Sequence, residues 1–199
     1  MFQEELTMIR DLILKNRSYR RFVQNEPISV EQLTNWVELA RFSASGRNAQ
    51  PLKYALTNDG PTSLKIFECL AWAGYLTDWK GPAEGERPAA YITMLHDMRI
   101  ADKYFCDDGI AAQSILLGAV EAGFGGCIIA SVNRKKLREI LQLPGYFEII
   151  QVLALGKPAE TVVIDDAKDG NIRYWRDEHS IHHVPKRTLD ELIVSVGGK

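Results

Sequence analysis

Cysteine is scarce in this chain, and the few that occur stand far apart. Cys69, Cys106 and Cys127 are an odd number with no CxxC or comparable spacing, so neither a disulfide framework nor a zinc site is expected. Thiols set in apolar runs fit a reducing compartment. Long hydrophobic runs are missing as well: no stretch approaches the roughly 18 apolar residues of a membrane span. The opening Met1-Phe2-Gln3-Glu4-Glu5 lacks the basic-then-apolar layout of a secretory leader. Nor is there an excess of one charge, since 24 Lys and Arg face 26 Asp and Glu, a net charge of -2. That balance argues against bulk attraction to nucleic acid or to an anionic membrane. No internal repeat, low-complexity tract or linker interrupts the chain. The expectation is a cytoplasmic protein whose 199 residues form one domain, 1–199, with an ordinary hydrophobic core.

Helical and strand periods alternate along what is present. Leu6, Ile9 and Ile13 recur at helical spacing, which predicts an amphipathic helix ending before Asn16. Ser29 followed by Gln32 is a capping-box pattern opening a second helix, with Leu33, Trp36, Val37 and Ala40 on its apolar face. The stretch from Thr62 to about Ala73 also reads as helical. Ala89 to Leu95, bounded by Pro88 and His96, reads as a strand. From Asp107 to Ala122 apolar residues surround nearly the whole circumference of a helix, as in a core or a subunit interface. Gly126 to Ala130 and Ile149 to Leu155 read as buried strands, separated by a short helix around Leu137 to Leu141 that Asn133 caps. Asp169-Gly170 predicts a hairpin turn between Val162-Val163-Ile164 and Ile172-Arg173-Tyr174-Trp175. Leu189 to Ile193 closes the chain with a helical stretch. Helices before, between and after strands indicate an α+β sandwich rather than a regular βαβ series.

Four segments carry candidate chemistry. Asn16-Arg17-Ser18-Tyr19-Arg20-Arg21-Phe22 offers three forked cations and a hydroxyl suited to a phosphate or another delocalised anion, although a bare arginine cluster also describes solvated surface. In an extended segment Arg17 and Tyr19 would point one way, Ser18 and Arg20 the other. Ser43-Ala44-Ser45-Gly46-Arg47-Asn48-Ala49-Gln50-Pro51 combines small residues that admit a planar ligand with two amides that can match a heterocycle edge. The alternative is a plain helix-terminal loop of turn formers. Gly123 to Ser131 is a glycine-rich turn feeding a strand; it lacks the G-x-G-x-x-G order and the strand-to-helix direction of a Rossmann site. Pro185-Lys186-Arg187-Thr188 adds a second basic pair.

In this order the four segments resemble the nitroreductase superfamily of flavoproteins over nearly the whole sequence. The family's Arg-Ser-x-Arg motif before an aromatic is matched by Arg17, Ser18, Arg20 and Phe22, and its Ser-x-x-Asn-x-Gln-Pro loop by Ser45, Asn48, Gln50 and Pro51. The glycine-led strand around Cys127 to Ser131 and the stretch Leu155 to Glu160 are further landmarks. The resemblance implies a three-layer sandwich, a central mostly antiparallel sheet flanked by helices, assembled as a homodimer with shared active sites that hold FMN. It would place Arg17 and Ser18, with Arg187 and Lys186, on the FMN phosphate or ribityl chain. Arg20 would lie at the N1–C2 carbonyl edge, where a cation stabilises the charge gained on reduction. Ser45, Asn48 and Gln50 would belong to the cofactor loop, the two amides contacting flavin or ribityl, and backbone at Ile129, Ala130 and Ser131 would run along the ring near N5. The chain departs from the family in three places. Asn16 stands where many members carry arginine, Leu52 where tryptophan is frequent, and Arg47 where a small residue is common. Arg47 would narrow the substrate pocket or favour anionic substrates.

The implied activity is reduction of nitro, quinone or similar small-molecule acceptors by NAD(P)H in alternating half-reactions, with water supplying protons, so no side chain need act as acid. Other flavin chemistry, such as reductive dehalogenation or flavin fragmentation, and a non-catalytic flavin-binding or sensor protein stay open. His179, His182 and His183 with Asp177 and Glu178 invite a metal site, but a solvated loop is the better reading of so hydrophilic a stretch. Asp107 and Asp108 point apart on a helix and suit its first turn. No local context supports a Cys–His nucleophile.

Overall fold

The computed structural model describes the backbone of residues 2–197 and side chains from Ile9 to Gly197. The chain divides into two compact units, Met1–Trp72 with Lys80–Ala159, and Ala73–Trp79 with Glu160–Lys199.

The first unit runs α1 (Phe2–Lys15), α2 (Val30–Phe42), β1 (Leu52–Thr57), α3 (Gly60–Phe67), β2 (Ala90–Asp97), α4 (Asp107–Glu121), β3 (Gly125–Ile129), α5 (Arg134–Ile140) and β4 (Phe147–Gly156). Its four strands form one sheet in the order β1-β2-β4-β3, antiparallel at every pairing. β2 is buried along its whole length, and β4 from Ile149 onward. A strand covered on both faces by helices can be continuously apolar, and that is how both were legible. Side chains alternate across the sheet. Ala90, Ile92 and Met94 share a core with Leu33, Trp36 and Ala40 of α2 and with Ala111, Ala112, Ile115, Leu116 and Ala119 of α4. Tyr91, Thr93 and Leu95 are buried on the other face, and α3 packs on β2 and α5.

Local signals set most helix ends. Ser29 accepts from the Gln32 amide while the Gln32 side chain returns to the Ser29 amide, the expected capping box. Asn133 caps α5 through the Lys136 amide. The third helix starts earlier than its periodicity indicated, at Gly60, because Asp59 caps it through Thr62 and Pro61 preorganises its first turn. α4 packs so closely on α2 that a Cβ at Gly118 would collide with Leu39.

Two expectations need correction. α1 forms as its spacing indicates, but Ile9 and Ile13 of its apolar stripe are exposed rather than covered, as is Leu14; the Leu6 side chain lies outside the described residues. α4 is not enclosed on every face either, with Gln113 exposed and Ile110 and Leu117 half-buried.

The second unit contains β5 (Val162–Asp166), β6 (Trp175–Arg176), β7 (His182–Lys186) and α6 (Leu189–Leu192). The turn at Asp169-Gly170 exists, with φ of 52° and 71°, but it closes no more than a single bridge between Lys168 and Asn171. β5 pairs in parallel with β7, and β6 pairs antiparallel with β7. The expected hairpin is thus replaced by a non-local pairing that turn residues cannot reveal. Residues 73–79 join this unit through Tyr75, whose ring meets Tyr174 at 4.9 Å, and through Trp79 beneath the Arg176 guanidinium.

Candidate active site

Where α2 ends, the chain enters a loop bound to the N-terminal half of α4. Ser43 Oγ lies 2.7 Å from Ser114 Oγ. The Ser45 hydroxyl donates to Asp107 Oδ2 at 2.6 Å, and the Gly46 amide donates to Asp107 Oδ1 at 2.8 Å. Ser45 Oγ in turn accepts from the Gln50 amide at 2.9 Å. Asp107 is 3% exposed, so these are charge-assisted bonds shielded from water. They hold a backbone that would not persist alone: Arg47, Asn48 and Gln50 take φ of 55°, 54° and 51°. Each such non-glycine residue costs on the order of 1–3 kcal/mol and survives only where its surroundings over-determine it. The conformation turns Arg47, Asn48 and Gln50 to solvent, with Gln50 Nε2 donating to Asn48 Oδ1 at 3.0 Å. The Arg47 guanidinium lies 6.0 Å from the Phe105 ring. A cavity of about 210 Å³ lies beneath, lined by Ser43, Ser45, Gln50, Tyr54 and Asp107 among others. Burial, helped by the Asp107 charge, pushes the Tyr54 phenol up to about 12.

The arginine segment lies against the glycine-led strand. Ser18 bridges Gly126 in parallel, and the Tyr19 amide donates to the Gly126 carbonyl at 3.1 Å. Glycine is required there: a Cβ on Gly126 would sit 2.7 Å from the Ala154 carbonyl and 2.8 Å from Leu116, and one on Gly125 would meet the Tyr19 ring at 2.6 Å. Asn16 Nδ2 reaches Gln113 Oε1 at 3.3 Å. Arg17 Nη2 donates to the Ile13 carbonyl at 2.6 Å, while its Nε is buried with no hydrogen-bond partner. Arg20 Nη1 donates to the Ser18 carbonyl at 3.1 Å. Ile129 is the buried last residue of β3; Ala130 and Ser131 follow it, exposed.

One helix therefore gathers three of the four segments. α4 meets the serine loop at Asp107 and Ser114, the arginine segment at Gln113, and the glycine-led strand at Leu116. Asp107, Gln113 and Tyr54 went unnoticed as site-builders in the sequence; the sole hint was polar residues on an otherwise apolar helix. The fourth segment belongs to the second unit, where Lys186 and Arg187 are exposed and Arg187 pairs with Glu191 at 3.5 Å.

The histidine-rich stretch is more ordered than a solvated loop. His182 is fully buried with its ring 5.3 Å from that of Tyr174. His183 joins Asp165 at 2.7 Å and Asp177 at 3.4 Å while stacking on Trp175. Among the described residues no three His, Cys, Asp or Glu converge as a metal site requires, and no helix is long and apolar enough to cross a membrane.

The first unit is a mixed fold with an antiparallel central sheet. Residues 87–157 match the Nitroreductase family, a segment holding β2, α4, β3, α5 and β4. YodC of Bacillus subtilis (strain 168), named as an NAD(P)H nitroreductase, is 22% identical over 182 residues, covering 76% of this chain and 90% of YodC. A protein of Parabacteroides distasonis ATCC 8503, named as an NADH dehydrogenase/NAD(P)H nitroreductase, shares the fold with a TM-score of 0.67 and 19% identity, over 97% of this chain and 99% of that one. The NADPH:FMN oxidoreductase of Vibrio harveyi, solved with NAD+, aligns with a TM-score of 0.61 and 22% identity, over 77% of this chain and 70% of its own. Residues 87–157 thus match the family that the motifs resemble, and the fold is shared with solved proteins named as nitroreductases.

Proposed function

We propose that this protein is an FMN-dependent oxidoreductase that takes electrons from NAD(P)H and passes them to a nitro, quinone or similar small-molecule acceptor in alternating half-reactions. The observation that carries the reading is the convergence on α4 of an arginine segment, an amide-bearing loop and a glycine-led strand. These residues suit FMN. Arg17 keeps a buried Nε–H in need of an acceptor, and beside it Ser18 offers an exposed hydroxyl; both fit a phosphate or ribityl oxygen. Ser45 fixes the loop on which Asn48 and Gln50 hold their amides outward, as a heterocycle edge requires. Backbone at Ile129, Ala130 and Ser131 would supply a wall, and Lys186 and Arg187, exposed in the second unit, have the charge that a phosphate favours. When bound, FMN supplies two-electron exchange between nicotinamide and acceptor. Arg20 would offer positive charge to offset the charge that the flavin gains on reduction, and Arg47 over Phe105 would tune which acceptor enters.

The same reading makes the chain a homodimer with shared sites, since Ile9, Ile13 and Leu14 leave α1 with an uncovered apolar face. Purified protein is expected to be yellow, to hold FMN stoichiometrically, to bleach with NAD(P)H under anaerobic conditions and to sediment as a dimer. Colourless protein with no affinity for added FMN would overturn the proposal; bound FMN that nicotinamide cannot bleach would make it a flavin binder. Arg20→Ala should lower the flavin potential and slow its reduction, whereas Arg17→Ala should weaken FMN binding with little change in potential, because a phosphate is charged in both redox states.

A further inference from the structure

A cavity of about 530 Å³ lies away from these elements, between the 24–28 segment, α3 and the 84–91 segment. It shares no lining residue with the proposed flavin site, and its volume is that of pockets that enclose small ligands. Its wall is mixed, with an apolar stretch from Ile28, Leu64, Phe67 and Pro88 beside polar groups such as Asn58 and Arg87. Two polar groups in that wall are left wanting. Ser63 is 9% exposed, and its hydroxyl is buried with no hydrogen-bond partner. The Arg87 guanidinium lies 4.7 Å from the centroid of the Phe67 ring, and its Nε is likewise buried without a partner. A ring face offsets part of a cation's charge but accepts none of its N–H donors. Among the described residues no carboxylate comes within ion-pair distance of Arg87. Buried donors are rarely left unmet in native structures, so a pair in one wall calls for an acceptor.

The surroundings narrow what that acceptor can be. The α3 N-terminus is already taken, because the Asp59 carboxylate accepts from the Thr62 amide. Glu84 lines the same cavity as its exposed acidic group, so the local field disfavours a multiply charged anion. The loop is held independently of the guanidinium, through Gln24 Oε1, which accepts from the backbone amides of Gly85 and Arg87.

We infer that this cavity is a second ligand site, selective for a small organic monocarboxylate: the carboxylate would take the Arg87 and Ser63 donors, and an apolar body would lie along Phe67, Leu64 and Ile28. A single planar acceptor of one charge matches one guanidinium, and the wall beyond it rewards carbon.

The test is titration of the isotopically labelled full chain, with whatever flavin it carries, followed by amide NMR. The probes are benzoate and hexanoate, against benzamide and hexanamide as uncharged counterparts. The carboxylates should give saturable shifts at Ser63, Leu64 and Arg87, with the amides weaker by about tenfold or more, as loss of a charged hydrogen bond entails. Arg87→Gln should remove that preference for charge. Ser63→Ala should weaken the carboxylates several-fold, and Leu64→Trp, at the exposed lip, should block entry while sparing both donors; flavin content should stay the same in all three. Absence of saturable shifts, equal affinity for acid and amide, or shifts confined to residues 45–50 would each overturn the proposal.

Discussion

The sheet of residues 52–156 and the sheet of residues 162–186 are held by different physics. In the first, two adjacent strands are buried almost end to end, and the core contacts are among apolar side chains, chiefly Ile, Leu and Ala. In the second, three short strands are mostly half-buried or exposed, with only His182 and Pro185 of β7 buried among their residues, and order comes from groups that must match in charge and shape. Glu160, with a side chain 1% exposed, pairs with Arg176 at 3.0 Å. Arg176 covers Trp79, and His183 is gripped by two aspartates while stacked 4.6 Å from Trp175. Dispersion and apolar burial tolerate exchange of one hydrocarbon for another of similar volume. Buried ion pairs do not tolerate loss of one member. The second unit should therefore be the part of the molecule most sensitive to pH and to single polar substitutions.

The sharpest way to break that contrast is Glu160→Ala. Leaving Arg176 without Glu160 should cost about 3–5 kcal/mol in denaturant unfolding, and a loss under about 1 kcal/mol would return the pair to ordinary surface status. Next comes a matched deletion in both sheets. Leu153→Ala in the buried stretch of β4 should cost about 2–5 kcal/mol, and Val163→Ala in the half-buried β5 about 1 kcal/mol; equal losses would erase the difference. Asp107→Asn probes a polar exception within the apolar unit. It should cost about 1–3 kcal/mol by weakening the bonds from Ser45 and Gly46, and FMN titration should show weaker binding as the 45–50 loop loosens.

The smallest effect concerns pH. The hydrogen bond to Asp165, seconded by that to Asp177, raises His183 above its ordinary value of 6.5. A raised histidine adds stability in full below 6.5, and that increment fades as pH climbs through the raised value. Thermal melts read through tryptophan fluorescence should thus lose stability as pH rises above 6.5, and Asp165→Asn should flatten the slope. A rise over the same range would mean that His183 is neutral in the folded chain.

Much of the first unit was legible because its signals are local or periodic. The capping box at Ser29, the cap at Asn133 and the continuous apolar run of β2 each act within a few residues. β1 was missed since Leu52 to Thr57 mixes lysine, tyrosine and alanine in a half-buried strand, and its identity depends on pairing with β2. The parallel β5–β7 pairing was missed for the same reason: Asp169-Gly170 announces a turn but not which strand lies alongside. At the site, the motifs marked which segments matter. Asp107 could not be read as their anchor, because its partners Ser45 and Gly46 are 62 and 61 positions away.

The attachment of the serine loop to α4 also governs how the loop breathes. Gly46 and Gln50 donate their amide protons within the Asp107–Ser45 chain, although Gln50 itself is exposed. Those protons can meet solvent deuterium only when the first turn of α4 opens, so their exchange should keep time with the helix rather than with the neighbouring surface.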